Sequence, residues 1–189
     1  MGAYSALIFN IIINVAILLV FFRFLMQLAV VSPYNPVVLS TVKATKVVDI
    51  FSRIFPTVAK GRVNLAALAL LVMLYLLKIF GMMYLAGAMT NSPVHLLILT
   101  FLSMIQDLIR FCRYLIFATI ILSWVVMFTQ SRSPYIDVIQ ELAEPLLAPF
   151  RRLLPNMGMI DLSPILAFLA LYIAGEIMTE VARVLLTGL

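Results

Sequence analysis

The sequence of 189 residues holds one cysteine, Cys112, and one histidine, His95. A lone thiol excludes an intrachain disulfide. A lone imidazole excludes a site that needs two from one chain, such as a bis-His haem or a His-rich zinc centre. CxxCH, HExxH, a glycine-rich phosphate loop and GxSxG are all missing, and no nucleophile–base set is present. The expectation is a protein without catalytic residues, cofactor or metal. Charge is scarce too, at 11% of residues, where soluble domains carry about a quarter. With 65% apolar residues and a mean hydropathy of +1.16, too little polar surface is left to cover a water-soluble globule. The expected fold class is an all-α membrane protein.

The charge that is present is mostly basic, with a net value of +5. Lys43, Lys46, Arg53, Lys60 and Arg62 fall in one interval between apolar runs, and Arg132, Arg151 and Arg152 in another. Cationic loops beside hydrophobic spans mark the cytoplasmic side. Nucleic-acid binding would need a basic face with stacking aromatics, so the expected partner is a bilayer with anionic headgroups. Membrane-protein partners and self-association stay open.

In chain order, residues 4–31 form the first apolar run, too long and wrongly flanked for a cleaved secretory signal. Asn10 and Asn14, and Arg23 and Gln27, are spaced four apart, so each pair shares one side of a helix. Arg23 has two readings: snorkelling to the interface, or pairing with an acid inside the bundle. Residues 32–64 open with a PYNP turn; Val37 to Phe55 read as an amphipathic segment lying on the membrane surface and stopped by Pro56. The second span is expected near 65–88, with Lys78 reaching for the far interface. Asn91-Ser92-Pro93 start a new helix. The cluster Asp107, Arg110, Arg113 then divides an interfacial or re-entrant helix near 94–109 from a span near 111–129. After the loop 130–161, the last span is expected near 162–186, where Glu176, Glu180 and Arg183 share a face and either neutralise one another or line a polar path. Four spans put both basic loops on the cytoplasmic side and both termini opposite.

The two halves repeat. Asn35-Pro36 falls on Ser133-Pro134, Arg53-x-x-Pro56 on Arg152-x-x-Pro155, and Asn64-Leu65 on Asp161-Leu162. This divides the chain into repeats 1–90 and 91–189, each made of span, turn, amphipathic helix and span. The pattern resembles the YggT family of small bacterial and plastid membrane proteins. The second half carries the resemblance: Ser123-Trp124, Arg132-Ser133-Pro134, the EPLLAPFRRLLP run from Glu144 to Pro155 (with Pro145, Pro149, Arg151 and Arg152), and the G-x-IDLSP run from Gly158 through Asp161 and Ser163 to Pro164. The first half keeps Arg23, Gln27, Asn35-Pro36, Lys43-Ala44-Thr45 and Arg53-x-x-Pro56. It loses both prolines of the later copy, has Ser52 where the first arginine stands, and has Asn64 in place of the acid.

These departures suggest one composite polar centre, Arg23 beside Asp161 across a pseudo-symmetric interface. Pro145 and Pro149 are expected to limit the helix after Glu144, and Pro155 to end it. Arg151 and Arg152 can anchor topology, hold a lipid phosphate or dock a partner. Asp161 and Ser163 are candidate helix caps with Pro164 in the first turn; ion or proton binding at Asp161 is the alternative. The resemblance implies a bacterial inner-membrane protein linked to osmotic or extracytoplasmic stress tolerance and ion homeostasis. An assembly or scaffold role leads. A potassium or proton channel or transporter is the alternative, and a cytochrome-maturation or cell-division accessory role a further one.

Overall fold

The fold was derived from a computed structural model, which describes residues 2–87, 92–131, 133–154 and 161–187. Helix α1 (Gly2–Leu28) is followed by two short helices, α2 (Pro36–Ala44) and α3 (Val47–Phe51). A small hairpin, β1 (Thr57–Val58) against β2 (Val63–Asn64), leads into α4 (Leu65–Ala86). Helices α5 (Pro93–Thr129), α6 (Pro134–Leu153) and α7 (Ser163–Thr187) complete the chain. Among the described residues, α1, α4, α5 and α7 are long and apolar enough to cross a bilayer. The chain is a multi-pass all-α membrane protein.

The core lies where α1, α4, α5 and α6 converge, with Phe21, Met26, Ala66, Ala67, Leu71, Tyr75, Ile116 and Leu147 buried. Ala66 and Ala67 present no bulk, which lets α4 lie close to α1. The Phe111 ring of α5 meets Phe21 edge-on at 5.6 Å and Phe22 at 6.3 Å. The outward surfaces of the spans stay apolar and exposed, as at Ile8, Ile12, Phe117 and Leu169, so hydrocarbon is their solvent.

Three expectations change. First, the separate helix near 94–109 and the span near 111–129 are one continuous helix, α5, of 37 residues. Beyond Pro93 in its first turn it has no proline or glycine, so nothing breaks the ladder, and its charged residues Asp107 and Arg113 find side-chain partners on α4 and α7. At 1.5 Å per residue it is about 55 Å long, against about 30 Å of hydrocarbon. Second, the amphipathic segment from Val37 to Phe55 is broken at Thr45–Lys46. The Thr45 hydroxyl bonds back to the Thr41 carbonyl at 2.6 Å, and Arg23 takes the Thr45 carbonyl. Third, α6 runs through Pro145 and Pro149. Both prolines are exposed, so the helix carbonyls they leave unbonded face solvent rather than the core. The face of α6 that carries Ile136, Leu142, Ala143 and Leu147 is buried.

Candidate functional site

Each half holds a charged node at the end of its spans. In the first, Arg23 of α1 reaches past its own helix into the α2–α3 junction. Its guanidinium donates to the Thr45 carbonyl at 2.8 Å and the Thr45 hydroxyl at 3.2 Å, and bonds Asp49 of α3. The Arg23 side chain is 11% exposed. A helix leaves its last carbonyls unsatisfied with a partial negative charge, and Arg23 supplies both the donors and the charge at the end of α2. One turn on, Gln27 donates to the Gly61 carbonyl at 2.8 Å and accepts from Asn64 at 2.9 Å. The Asn64 side-chain oxygen caps α4 through the Ala67 amide at 2.9 Å.

In the second half, Arg151 near the end of α6 holds two acids. Its Nε meets Asp161 at 2.9 Å and its terminal nitrogen meets Glu144 at 2.5 Å. Asp161 also accepts the Ser163 amide at 2.9 Å, which caps α7. Burial opposes ionisation of Asp161, but the Ser163 hydrogen bonds and the Arg151 guanidinium outweigh it and hold the carboxyl below its ordinary value. Burial likewise opposes the Arg151 charge, and the bonds and charges of Asp161 and Glu144 raise its pKa regardless.

The expected Arg23–Asp161 centre does not form. Arg23 pairs with Asp49 and Asp161 with Arg151, each within its own half. The physical reason is reach: Arg23 of α1 finds Asp49 on the short helix α3, and Arg151 near the end of α6 finds Asp161 just before α7. The losses between halves are therefore matched within pairs. Ser52 and Asn64 stand where Arg151 and Asp161 pair. In the Asn35–Ser133 register, Ala143 and Leu147 stand where Thr45 and Asp49 receive Arg23, with Ile121 at the Arg23 position.

The halves meet at their turns. Asn35 caps α2 through the Val37 amide, and its side-chain nitrogen donates to the Pro134 carbonyl at 2.9 Å. Ser133 caps α6, with Pro36 and Pro134 in the first turn of each helix. The Ser32 amide donates to Glu141 of α6 at 3.0 Å.

A third cluster lies halfway along the spans. The Tyr75 hydroxyl of α4 donates to Asp107 of α5 at 2.9 Å. Arg110 approaches the same carboxylate at 3.2 Å and Lys78 at 3.9 Å. Arg113 lies over the Tyr172 ring of α7 at 5.9 Å. Lys78 thus reaches Asp107 across the helix pair, not the far interface, and the middle of the spans is richer in ionisable groups than the sequence suggests.

A sequence profile described as CCB3/YggT matches residues 98–182. A Pseudomonas aeruginosa protein is 35% identical across 82% of this chain and 78% of its own length. A Haemophilus influenzae protein is 34% identical across 93% and 92%. Both are described as uncharacterized. The Escherichia coli K12 protein named YggT is 32% identical across 94% of this chain and 93% of its own. The chain belongs to the YggT family. No solved structure matches it.

In this YggT-family chain the motif residues separate by role. Glu144, Arg151, Asp161 and Ser163 form one node, and Pro164 lies in the first turn of α7. Arg152, Lys43 and Arg53 are exposed and have no acid partner among the described residues, and Pro56 precedes β1. Arg132, Pro155, Gly158 and Asn91 lie outside the described residues. Glu180 and Arg183 pair at 2.6 Å. The sequence pattern left Glu141 and Tyr75 unmarked, showed Thr45 only as part of the Lys43-Ala44-Thr45 motif, and gave Asp49 no partner. The signal for the α4–α5 cluster was present as Tyr75–Lys78 and Asp107–Arg110, each three apart on one helix face.

Proposed function

We propose that this chain is a non-enzymatic scaffold or assembly factor of the bacterial inner membrane, contributing to envelope tolerance of osmotic or extracytoplasmic stress. Its basic loops face the cytoplasm and both termini lie opposite. The observation that carries this reading is the exposed set Lys43, Lys46, Arg53, Lys60, Arg62 and Arg152, which have no acid partner among the described residues. Arg151 is consumed by Glu144 and Asp161, which leaves Arg152 for a lipid phosphate or an acidic partner. Arginine suits such a planar, bidentate contact. The α2, α3 and α6 segments then act as a basic collar at the headgroup level.

Ion transport is the second reading, favoured by the charges at the middle of the spans: intramembrane ionisable groups often mark ion pathways. One experiment decides. Potassium and proton flux are measured in proteoliposomes, for wild type beside Asp107→Asn, with folding checked by thermal unfolding. Silence under every imposed gradient supports the scaffold, and binding of anionic over zwitterionic nanodisc lipid, weakened by Arg152→Gln with Lys60→Gln, supports the collar. Flux abolished by Asp107→Asn replaces the scaffold with a transporter.

A further inference from the structure

Gly175, halfway along α7, faces α5: a Cβ at that position would lie 3.6 Å from Ile109 and 3.8 Å from the Arg113 guanidinium carbon. This contact fixes the depth of the two helices relative to one another. Glu176 is the next residue along α7, and Arg110 the next after Ile109 on α5. Each is turned about 100° from the contact. Helix α6 is not among the candidate spans, so α7 returns antiparallel to α5. In an antiparallel pair, one forward step on each helix swings both side chains to the same side. Arg110 and Glu176 therefore share one outward face at one depth, with the Arg113–Tyr172 stack beside them.

That face is poorly matched to lipid. The Arg110 side chain is 54% exposed and shares the single carboxylate of Asp107 with Lys78. Glu176 is exposed, and no described cation lies within ion-pairing distance of it. Charges at this depth are kept off hydrocarbon in membrane proteins by facing protein or water. Next to Glu176, the outer stripe Ile177, Val181, Val184 and Leu185 of α7 is apolar and forms a shallow, open surface with Glu176 and Glu180.

We propose that the outer face of the α5–α7 pair is an interface with a second copy of this chain, related by a twofold axis along the membrane normal, in which Glu176 of each copy meets Arg110 of the other. The complement is already within the chain: an acid on α7 with no partner among the described residues and a cation on α5 with half a partner, at matched depth and on one side. Rotation about the membrane normal preserves depth, places α7 of each copy against α5 of the other, and satisfies both pairs at once, as an isologous contact requires. Four helices then alternate around the axis, and the glutamate is withdrawn from lipid. This self-association is separate from the basic collar and stands whether or not ions cross.

The test uses the full chain in a Cys112→Ala background. Two differently tagged copies are co-expressed, one with Arg110→Cys and the other with Glu176→Cys, and native membranes are oxidised. A disulfide-linked heterodimer is expected, and none when Ile12→Cys on the far side of α1 replaces Glu176→Cys. In nanodiscs, wild type is expected to hold two copies. Glu176→Arg should lower the two-copy fraction by about tenfold or more through like-charge contact. Exchange of the charges, Arg110→Glu with Glu176→Arg, should restore it, and Glu180→Gln, whose partner is Arg183, should leave it unchanged. Single copies of folded wild type, or cysteine capture of a different protein with no self-crosslink, would overturn the proposal.

Discussion

Val30 is held with φ at +59° just beyond the end of α1. The amides of Val30 and Val31 close onto the carbonyls of Gln27 at 3.2 Å and Met26 at 2.9 Å. That is the helix-ending arrangement in which glycine usually occupies the left-handed position. A β-branched residue is strained there, and Val30 is mostly exposed, so little packing offsets the strain. Val30→Gly should stabilise the protein by about 1 kcal/mol, measured as a raised unfolding midpoint in nanodiscs. At Asp161 the sequence reading of a helix cap holds, but its ionic partner was misread. Its carboxyl is held below its ordinary value by the Ser163 hydrogen bonds and the Arg151 guanidinium. A depressed acid contributes stability that is present above its ordinary pKa and lost as pH falls through the folded value. Stability should therefore drop on acidification below about pH 4, and Asp161→Asn should be less stable at neutral pH with a shallower acid limb. An acid limb unchanged by the substitution would remove Asp161 from that account.

Among elements, the spans were legible because long apolar runs have few alternative uses, and so were the helix starts at Ser92 and Asp161, marked by their residue types and the prolines near them; Asn35, Ser133 and Asn64 stood out only as turn and repeat positions, although they cap α2, α6 and α4. The continuity of α5 was not legible. In sequence, Asp107, Arg110 and Arg113 look like a membrane boundary; Tyr75, Lys78 and Tyr172, which receive them, come from two other helices. The break between α2 and α3 was hidden for the same reason, since the arginine that satisfies it lies in α1. Local pattern reports which side of a helix is polar, but not which neighbour supplies the counter-charge. Packing between α1 and α4 gives a further test. Gly81 of α4 lies against the Phe9 ring of α1, where an added Cβ would sit 2.7 Å from a ring carbon. Gly81→Leu should force the ring or the helices apart at a cost of about 1–3 kcal/mol, while Gly87→Ala, with nothing nearby but a φ of +67°, should act only through backbone strain at the end of α4. Equal losses with unchanged α1–α4 crosslinking would show that Phe9 simply turns aside.

At the scale of the molecule, the two halves are joined by two unlike seams. At the turns, Asn35 with Pro134 and Ser32 with Glu141 are exposed contacts, which bind weakly because water competes for each partner. Between the spans, Asp107 of the second half gathers the Tyr75 hydroxyl and Lys78 of the first, together with its own Arg110. No water is at hand in hydrocarbon to replace a lost acceptor, so the deep seam dominates. The loss is also asymmetric. Asp107→Ala leaves two cations and a hydroxyl without their shared acceptor, at about 3 kcal/mol or more, by analogy with breaking a buried ion pair from one side. Lys78→Met removes the most distant of the three partners and leaves Arg110 to neutralise the carboxylate, so it should cost far less. Unfolding midpoints of the two variants in one lipid composition separate these cases. If both substitutions cost the same, the deep seam is a pairwise lysine–aspartate bridge, and Arg110 is turned wholly outward.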